Sequence, residues 1–317
     1  MKTVFVVNPK AGQGKNIDRL VECIEDAGRR LNAEIEIYLT KAIGDAIDFV
    51  RNYCRINGAA RFIACGGDGT LGEVVNGVIG CSGAEVGVIP IGTGNDFCRN
   101  FPICGDFTNI DAQINGDVTQ CDAIYYRTVL RGQEKTGYCV NMFNIGFDCN
   151  VADMTAKMKQ KPLISGSLAY LLSIFAILIK KKGARLSIEI DGKKEHSGPL
   201  LLTSIANGSY CGGGVKSNPL ASVHSGNINV NIIYNISRLN FLSKLPFYMK
   251  GTHIKLRGIE KVINTIKCKK VAITPLDESM RLCIDGEIEN AGKTEFEIVP
   301  NAFNFVMPAK TAIKEYV

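Results

Sequence analysis

The pentapeptide Gly66-Gly67-Asp68-Gly69-Thr70 stands directly after the strand-like run Arg61–Cys65 and directly before Leu71–Ile79, whose apolar residues recur at helical spacing. Three glycines around one carboxylate, between a strand and a helix N-terminus, let backbone N–H groups approach phosphate oxygens closely. A tight strand-to-helix turn that needs glycine only for its backbone angles is the plain alternative. The acid favours the first reading. An Asp at the centre of an anion-binding turn is electrostatically wrong unless a cation sits there, so Asp68 points to Mg²⁺ arriving with a nucleotide.

Two further loops repeat the strand–glycine–helix pattern. Thr3–Val7 is a buried-strand run followed by Asn8-Pro9-Lys10-Ala11-Gly12-Gln13-Gly14 and an amphipathic stretch in which Ile17, Leu20, Val21 and Ile24 recur at helical spacing. Glu85–Ile91 is another strand, running into Gly92-Thr93-Gly94-Asn95-Asp96-Phe97. In an open parallel sheet the loops at the carboxyl ends of adjacent strands converge on one crevice, so all three are expected to line one nucleotide. The pattern G-x-x-x-x-G-K-[ST] occurs at none of these loops, so the phosphate grip is not that of a P-loop.

Asn8–Gly12, Gly66–Glu73 and the run Ile89–Asp96 together resemble the three nucleotide motifs of the diacylglycerol kinase catalytic-domain family, in its soluble bacterial lipid kinase form related to sphingosine and ceramide kinases. NAD kinases share the Gly-Gly-Asp-Gly core with that superfamily but not the Gly-Thr-Gly-Asn-Asp loop. Asn141–Phe147, Gly212–Pro219 and Ile284–Glu287 resemble later family motifs, so the likeness spans most of the chain. The resemblance implies ATP and Mg²⁺ as cofactors. It also implies nucleotide contacts from Asn8, Pro9, Lys10, Ala11, Gly12, Thr40, Gly66, Gly67, Asp68, Gly69, Thr70, Leu71, Gly72, Glu73, Thr93 and Asn95. Glu73 could equally serve the helix dipole one turn into its helix.

With 317 residues and 46% apolar content the chain is long enough for two cores. The expected fold class is α/β plus all-β. A Rossmann-like nucleotide domain covers residues 1–125, and an antiparallel β-sandwich substrate domain covers 126–295, where short strands separated by turns replace the strand–helix alternation. The resemblance adds that 296–317 returns to the first domain. No internal repeat or low-complexity segment interrupts the chain. The start of the chain enters a strand without a leader-like segment, so a cytoplasmic protein is expected. In a reducing compartment its twelve cysteines, none in a C-x₂-C pair, read as small buried hydrophobes.

Charge is divided unevenly. Residues 1–125 hold 11 Lys or Arg against 16 Asp or Glu, whereas 126–317 hold 26 against 15. Residues 238–270 carry nine basic side chains and one acid, Glu260, interleaved with Phe241, Leu242, Leu245, Phe247, Tyr248 and Met249. Such a segment fits an anionic membrane surface met peripherally; a solvated basic face is the plain alternative. Nucleic acid is the competing polyanion and is not the expected partner, because no recognition motif is read and three nucleotide-type loops lie elsewhere in the chain. The most hydrophobic run, Ser167–Ile179, spans thirteen residues, short of the ~20 that cross a bilayer, and reads as a buried or interfacial helix. A homodimer is left open.

Phosphoryl transfer needs positioning, charge neutralisation and an acceptor for the hydroxyl proton. His196, His224 and His253 lie outside every loop above, and no Ser or Cys stands in a nucleophile motif. Asp285-Gly286-Glu287 is by local rules an ordinary hairpin turn; by resemblance it is the family's catalytic acid motif, facing the nucleotide across a cleft. Glu287 is the first candidate for general base and Asp285 the second, while Asp122 matches a supporting family position. One departure stands out. Bacterial relatives carry an Asp-Asp-Gly type turn that binds a structural Mg²⁺, whereas here the matching stretch is Ser222–Asn227 with Ser225 in place of the acid, so that second metal site is expected to be weakened or lost. The expected activity is ATP-dependent phosphorylation of a lipid alcohol, diacylglycerol first and a ceramide or sphingoid base next. A catalytically impaired nucleotide-binding regulator and a kinase of a non-lipid substrate are the rivals.

Overall fold

The computed structural model describes residues 1–14, 16–102, 105–146 and 183–309. They form two compact units, Met1–Cys121 together with the segment from Asn301, and Asp122–Pro300. The sequence-based junction at 125/126 falls inside one strand, β5 (Asp117–Leu130), and the units part after Cys121.

In the first unit β1 (Thr3–Val7), β2 (Ile35–Leu39), β3 (Arg61–Gly66) and β4 (Glu85–Pro90) lie parallel in the order β2-β1-β3-β4. Helices α1 (Ile17–Leu31), α2 (Asp45–Asn57) and α3 (Asp68–Val78) make the crossovers, and α4 (Ile110–Ile114) follows β4. Strands β1 and β3 are continuous apolar runs because a parallel sheet is covered on both faces, and Val4–Val7 and Phe62–Cys65 are fully buried. Ile24 of α1 packs with Phe5, Val7, Ile63 and Ile89 on one face.

The outer neighbour of β4 is the last part of β16 (Lys293–Met307), whose Asn304 and Phe305 pair in parallel with Glu85 and Val86. Phe305 then stacks among Phe97, Phe101 and Phe107 at centroid distances of 5.0–5.9 Å. Of the 296–317 segment expected to return to the first domain, the part through Pro300 belongs to the second unit; β16 continues unbroken through Pro300 and Asn301, the latter at φ 52°.

The second unit is a β-sandwich. One antiparallel sheet has the order β12-β11-β10-β7-β14-β15, with β7 (Met142–Gly146), β10 (Leu202–Ala206), β11 (Ile228–Ile233), β12 (Ile263–Cys268), β14 (Met280–Ile284) and β15 (Glu287–Ala291). The other holds β5, β6 (Gln133–Cys139), β8 (Ala184–Ile190), β9 (Lys193–Leu200), β13 (Lys270–Pro275) and the start of β16. Phe143, Ile205, Val230 and Leu282 of the first meet Ile124, Ile188, Val271 and Phe296 of the second in one core. Helix α5 (Arg238–Met249) covers a smaller cluster with Leu201, Ile233 and Val262. The run Ser167–Ile179 lies outside the described residues. No described helix is long and apolar enough to cross a membrane.

Candidate active site

Three loops meet at the carboxyl ends of β1, β3 and β4. Asn8 N–H donates to the Cys65 carbonyl at 3.0 Å, and its side-chain amide donates to Thr70 Oγ1 at 3.2 Å, tying the first loop to the second. Ile91 and Gly92 N–H both donate to the Gly66 carbonyl, at 3.0 and 3.1 Å, tying the third loop to the second. At Gly92 a Cβ would come within 2.4 Å of the Gly67 Cα, so only glycine lets these two loops touch. Gly12, at φ 58°, faces the Ile91 carbonyl, where a Cβ would approach to 2.9 Å.

The floor of this junction is the N-terminus of α3, whose first amides have no intrahelical partner and carry the positive end of the helix dipole. Asp68 opens that helix half-buried, and its Oδ1 accepts the Phe97 N–H at 3.1 Å. That contact fixes the carboxylate beside the third loop, where a Cβ on Gly94 would lie 2.8 Å from Oδ2. Asn95, at φ 54°, donates to the Pro90 and Gly92 carbonyls at 3.2 and 2.8 Å, while its buried Oδ1 has no hydrogen-bond partner. Amides for phosphate, a side-chain oxygen without a donor and one fixed carboxylate together suit a nucleotide with its divalent ion. Mg²⁺ keeps several waters and takes phosphate oxygens, so a single protein carboxylate is a sufficient ligand.

The remaining candidates divide by what their side chains already do. Thr40, just past β2, donates its N–H to the Val7 carbonyl at 2.9 Å and so borders the first loop. Thr93 and Lys10 are exposed, and the Lys10 amide donates to Asn8 Oδ1 at 2.9 Å. Pro9 and Ala11 are half-buried in the same loop, as are Gly69 and Gly72 around α3. Leu71 is a core side chain and Thr70 is buried under Asn8, so Leu71 offers a ligand only its backbone. Glu73 caps a neighbour: its Oε1 accepts Gly44 N–H at 2.9 Å and its Oε2 accepts Ala46 N–H at 3.3 Å, at the N-terminus of α2. Gly92, Gly94 and the Phe97 amide are absent from the sequence-based contact set although they shape the loop; the Gly-x-Gly spacing was the available signal. Cys65, at the end of β3, is fully buried, which pushes its thiol well above the ordinary range and leaves it inert.

In the second unit Asp285 and Gly286, at φ 46° and 102°, form the two-residue hairpin turn between β14 and β15, and Glu287 opens β15. The two acids have different lives. Asp285 is half-buried and accepts the amides of Val140, Asn141 and Met142 at 3.0, 3.1 and 2.9 Å and the Cys139 thiol at 3.1 Å. Burial, then the facing carboxylate, pushes the Cys139 thiol far up. Glu287 is exposed, and its carboxylate has no hydrogen bond or ion pair among the described residues. Asp122 is buried at the start of this unit, and its Oδ2 accepts Gly226 N–H at 2.6 Å.

That bond anchors the Ser222–Asn227 turn together with the Asp122 N–H, which donates to the Val223 carbonyl at 2.7 Å. Ser225 N–H donates to the Ser222 carbonyl at 3.0 Å, Ser225 Oγ engages both the N–H and the carbonyl of Asn227 at 3.2 Å, and the Lys269 ammonium donates to the Gly226 carbonyl. An ammonium on the turn's own carbonyl and a hydroxyl where relatives carry an acid do not fit a second divalent ion.

Residues 2–126 match the model of the diacylglycerol kinase catalytic domain, and residues 141–307 match that of the YegS C-terminal NAD kinase beta sandwich-like domain. The chain belongs to the diacylglycerol kinase catalytic-domain family. Over 315 residues it is 28% identical to a protein of Bacillus subtilis (strain 168) named diacylglycerol kinase, covering 97% of each chain. A crystal structure described as a diacylglycerol kinase from Bacillus anthracis str. Sterne superposes with a TM-score of 0.66 at 20% identity, covering 96% of both chains. Yeast NADH kinase complexed with NADH shares the fold at a TM-score of 0.50 and 12% identity, covering 98% of this chain and 84% of the other. Membership of the diacylglycerol kinase family makes this a lipid kinase-like phosphotransferase and implies use of ATP.

Proposed function

We propose that the protein transfers the γ-phosphate of ATP to the hydroxyl of a membrane lipid alcohol, with diacylglycerol as substrate and phosphatidic acid as product. The observation that supports this reading best is the fixed Asp68 carboxylate at the head of α3 between two touching glycine loops. The name of the full-length Bacillus subtilis relative points to diacylglycerol within the family. Amides of the three loops would hold the phosphates, and Asp68 would hold Mg²⁺, which when bound would supply charge neutralisation on the phosphates. Glu287 takes the proton of the lipid hydroxyl as its oxygen bonds to the γ-phosphorus and the bond to the β-phosphate oxygen breaks, leaving ADP with the electron pair. Asp285 positions the hairpin that carries Glu287.

Transfer of labelled γ-phosphate from ATP into a total lipid extract, followed by separation of products, tests both class and substrate. Label in phosphatidic acid is expected. Label in another lipid would move the assignment to a ceramide or sphingoid alcohol, and ATP binding without any labelled lipid would favour a regulator over an enzyme.

A further inference from the structure

Helix α5 and the turns after it present an unusual outer surface. Residues 239, 243, 246, 247 and 250 are all exposed, the i, i+4, i+7, i+8, i+11 stripe of one helix face. The opposite side already packs Phe241, Leu242, Leu245, Tyr248 and Met249 on the smaller core cluster. An outward stripe of a surface helix is ordinarily charged or polar; here it carries Leu239, 81% exposed, and Phe247, 43% exposed. The turn Thr252–Lys255 is stacked on the helix end by Thr252 N–H, which donates to the Phe247 carbonyl at 2.9 Å, and it adds Ile254 at 36% exposure. Around these apolar side chains stand Lys250, Lys255 and Arg257, all exposed, and α5 itself contains no acid.

The structure also removes part of the basic segment read from the sequence. Lys267, Lys269 and Lys270 belong to the β12–β13 region of the sandwich, where Lys269 is bound to the Gly226 carbonyl and Lys270 to Glu297 at 2.9 Å. What remains between residues 239 and 260 is exposed Leu239, Phe247 and Ile254 with exposed Lys250, Lys255 and Arg257, against one exposed acid, Glu260.

We infer that the outer face of α5 and the following 253–257 turn is where the enzyme docks on an anionic bilayer, Leu239, Phe247 and Ile254 entering the acyl boundary while Lys250, Lys255 and Arg257 meet lipid phosphates. The inference rests on the lipid-kinase reading for its purpose, and on charge complementarity with exposed apolar tips for its place. A water-filled contact with a soluble polyanion would use the cations and leave the three apolar tips idle. A second copy of this chain would bring the same cations face to face and repel.

The chain contains no tryptophan, so Phe247→Trp places a sole indole at the contact. Its emission is expected to shift to the blue with vesicles of phosphatidylcholine mixed with phosphatidylserine, and not with phosphatidylcholine alone or at high salt. In sedimentation, Lys250→Gln, Lys255→Gln and Arg257→Gln should each weaken vesicle binding about fivefold, and together about a hundredfold. Phe247→Ser with Leu239→Ser should weaken it at low salt although every cation is retained. No blue shift, equal sedimentation of variants and wild type, or self-association through this face in gel filtration would overturn the docking surface. Phosphorylation of a water-soluble short-chain diacylglycerol separates the two proposals. Variants that lose vesicle binding should retain it, whereas failure of wild type on every lipid, with vesicle binding intact, would refute the lipid-kinase reading and leave the docking surface standing.

Discussion

The Asp285 carboxylate lies 2.9 Å from the amide nitrogen of Met142, and the amides of Val140 and Asn141 converge on the same two oxygens. Asp285 is thus tied to the backbone of residues 140–142, whereas Glu287, two residues on, is exposed and unengaged among the described residues. On the proposed function the pair would divide positioning from proton transfer.

Glu287→Gln is expected to lower kcat by ~10²–10⁴-fold, with the melting temperature and ATP affinity close to wild type. Asp285→Asn should instead destabilise the fold by about 2 kcal/mol, because its amide N–H₂ would face donors that need an acceptor. Thermal melts alongside steady-state kinetics on both variants check this division. An unfolded Glu287→Gln, or a fully stable and inactive Asp285→Asn, would reverse it.

Asp68→Asn keeps an oxygen to accept the Phe97 amide but removes the charge. Turnover with ATP should fall to near background while the apo melting temperature stays within a few degrees of wild type. Near-normal activity in a folded variant would take Asp68 out of the phosphate site.

The three nucleotide loops are legible in the sequence because each rests on local rules: a buried-strand run, glycines at the strand end, and a periodic helix after it. What brings Gly67 against Gly92 is sheet order, which local pattern implies only through the general behaviour of parallel sheets. Glu73 illustrates the limit. Its place one turn into α3 is readable, but its partners Gly44 and Ala46 are supplied by the packing of α2 beside α3, so capping and ligand binding look alike in the sequence. Asp285 and Glu287 are likewise adjacent and chemically similar on paper, and only the fold of Val140–Met142 around one of them tells them apart. Strand β9 carries a readable signal in the Asp191-Gly192 turn, at φ 47° and 80°, yet its sequence Lys-Lys-Glu-His-Ser-Gly-Pro-Leu is polar and lacks strand-forming residues.

The Ser222–Asn227 turn is held by Asp122, Ser225 and the Lys269 ammonium. In the absence of nucleotide the wild-type melting temperature is expected to be the same in Mg²⁺ and in chelator. Ser225→Asp combined with Lys269→Ala restores anionic oxygen and removes the competing cation, so Mg²⁺ should raise the melting temperature of that double variant. A Mg²⁺-dependent shift in the nucleotide-free wild type would contradict the assignment of this turn as metal-independent.

His253 is 1% exposed beneath α5, its ring 5.0 Å from that of Tyr248. Desolvation lowers its pKa from the ordinary 6.5, outweighing a backbone contact near Phe247 that acts the other way. Below about pH 6.5 the unfolded chain therefore takes up a proton that the folded chain resists, and a state that binds more protons is favoured as pH falls. The stability contributed by the neutral ring is complete above the unfolded pKa and is lost as pH drops through that value towards the folded one. The slope from this single group is at most about 1.4 kcal/mol per pH unit. Denaturant unfolding of wild type and His253→Leu at several pH values between 7 and 5 reads the effect directly. The variant should be less stable at pH 7, through imperfect packing against Tyr248, yet lose less on acidification, so the two curves converge. Parallel curves would show that the imidazole gains its proton as readily in the folded protein as in the unfolded chain.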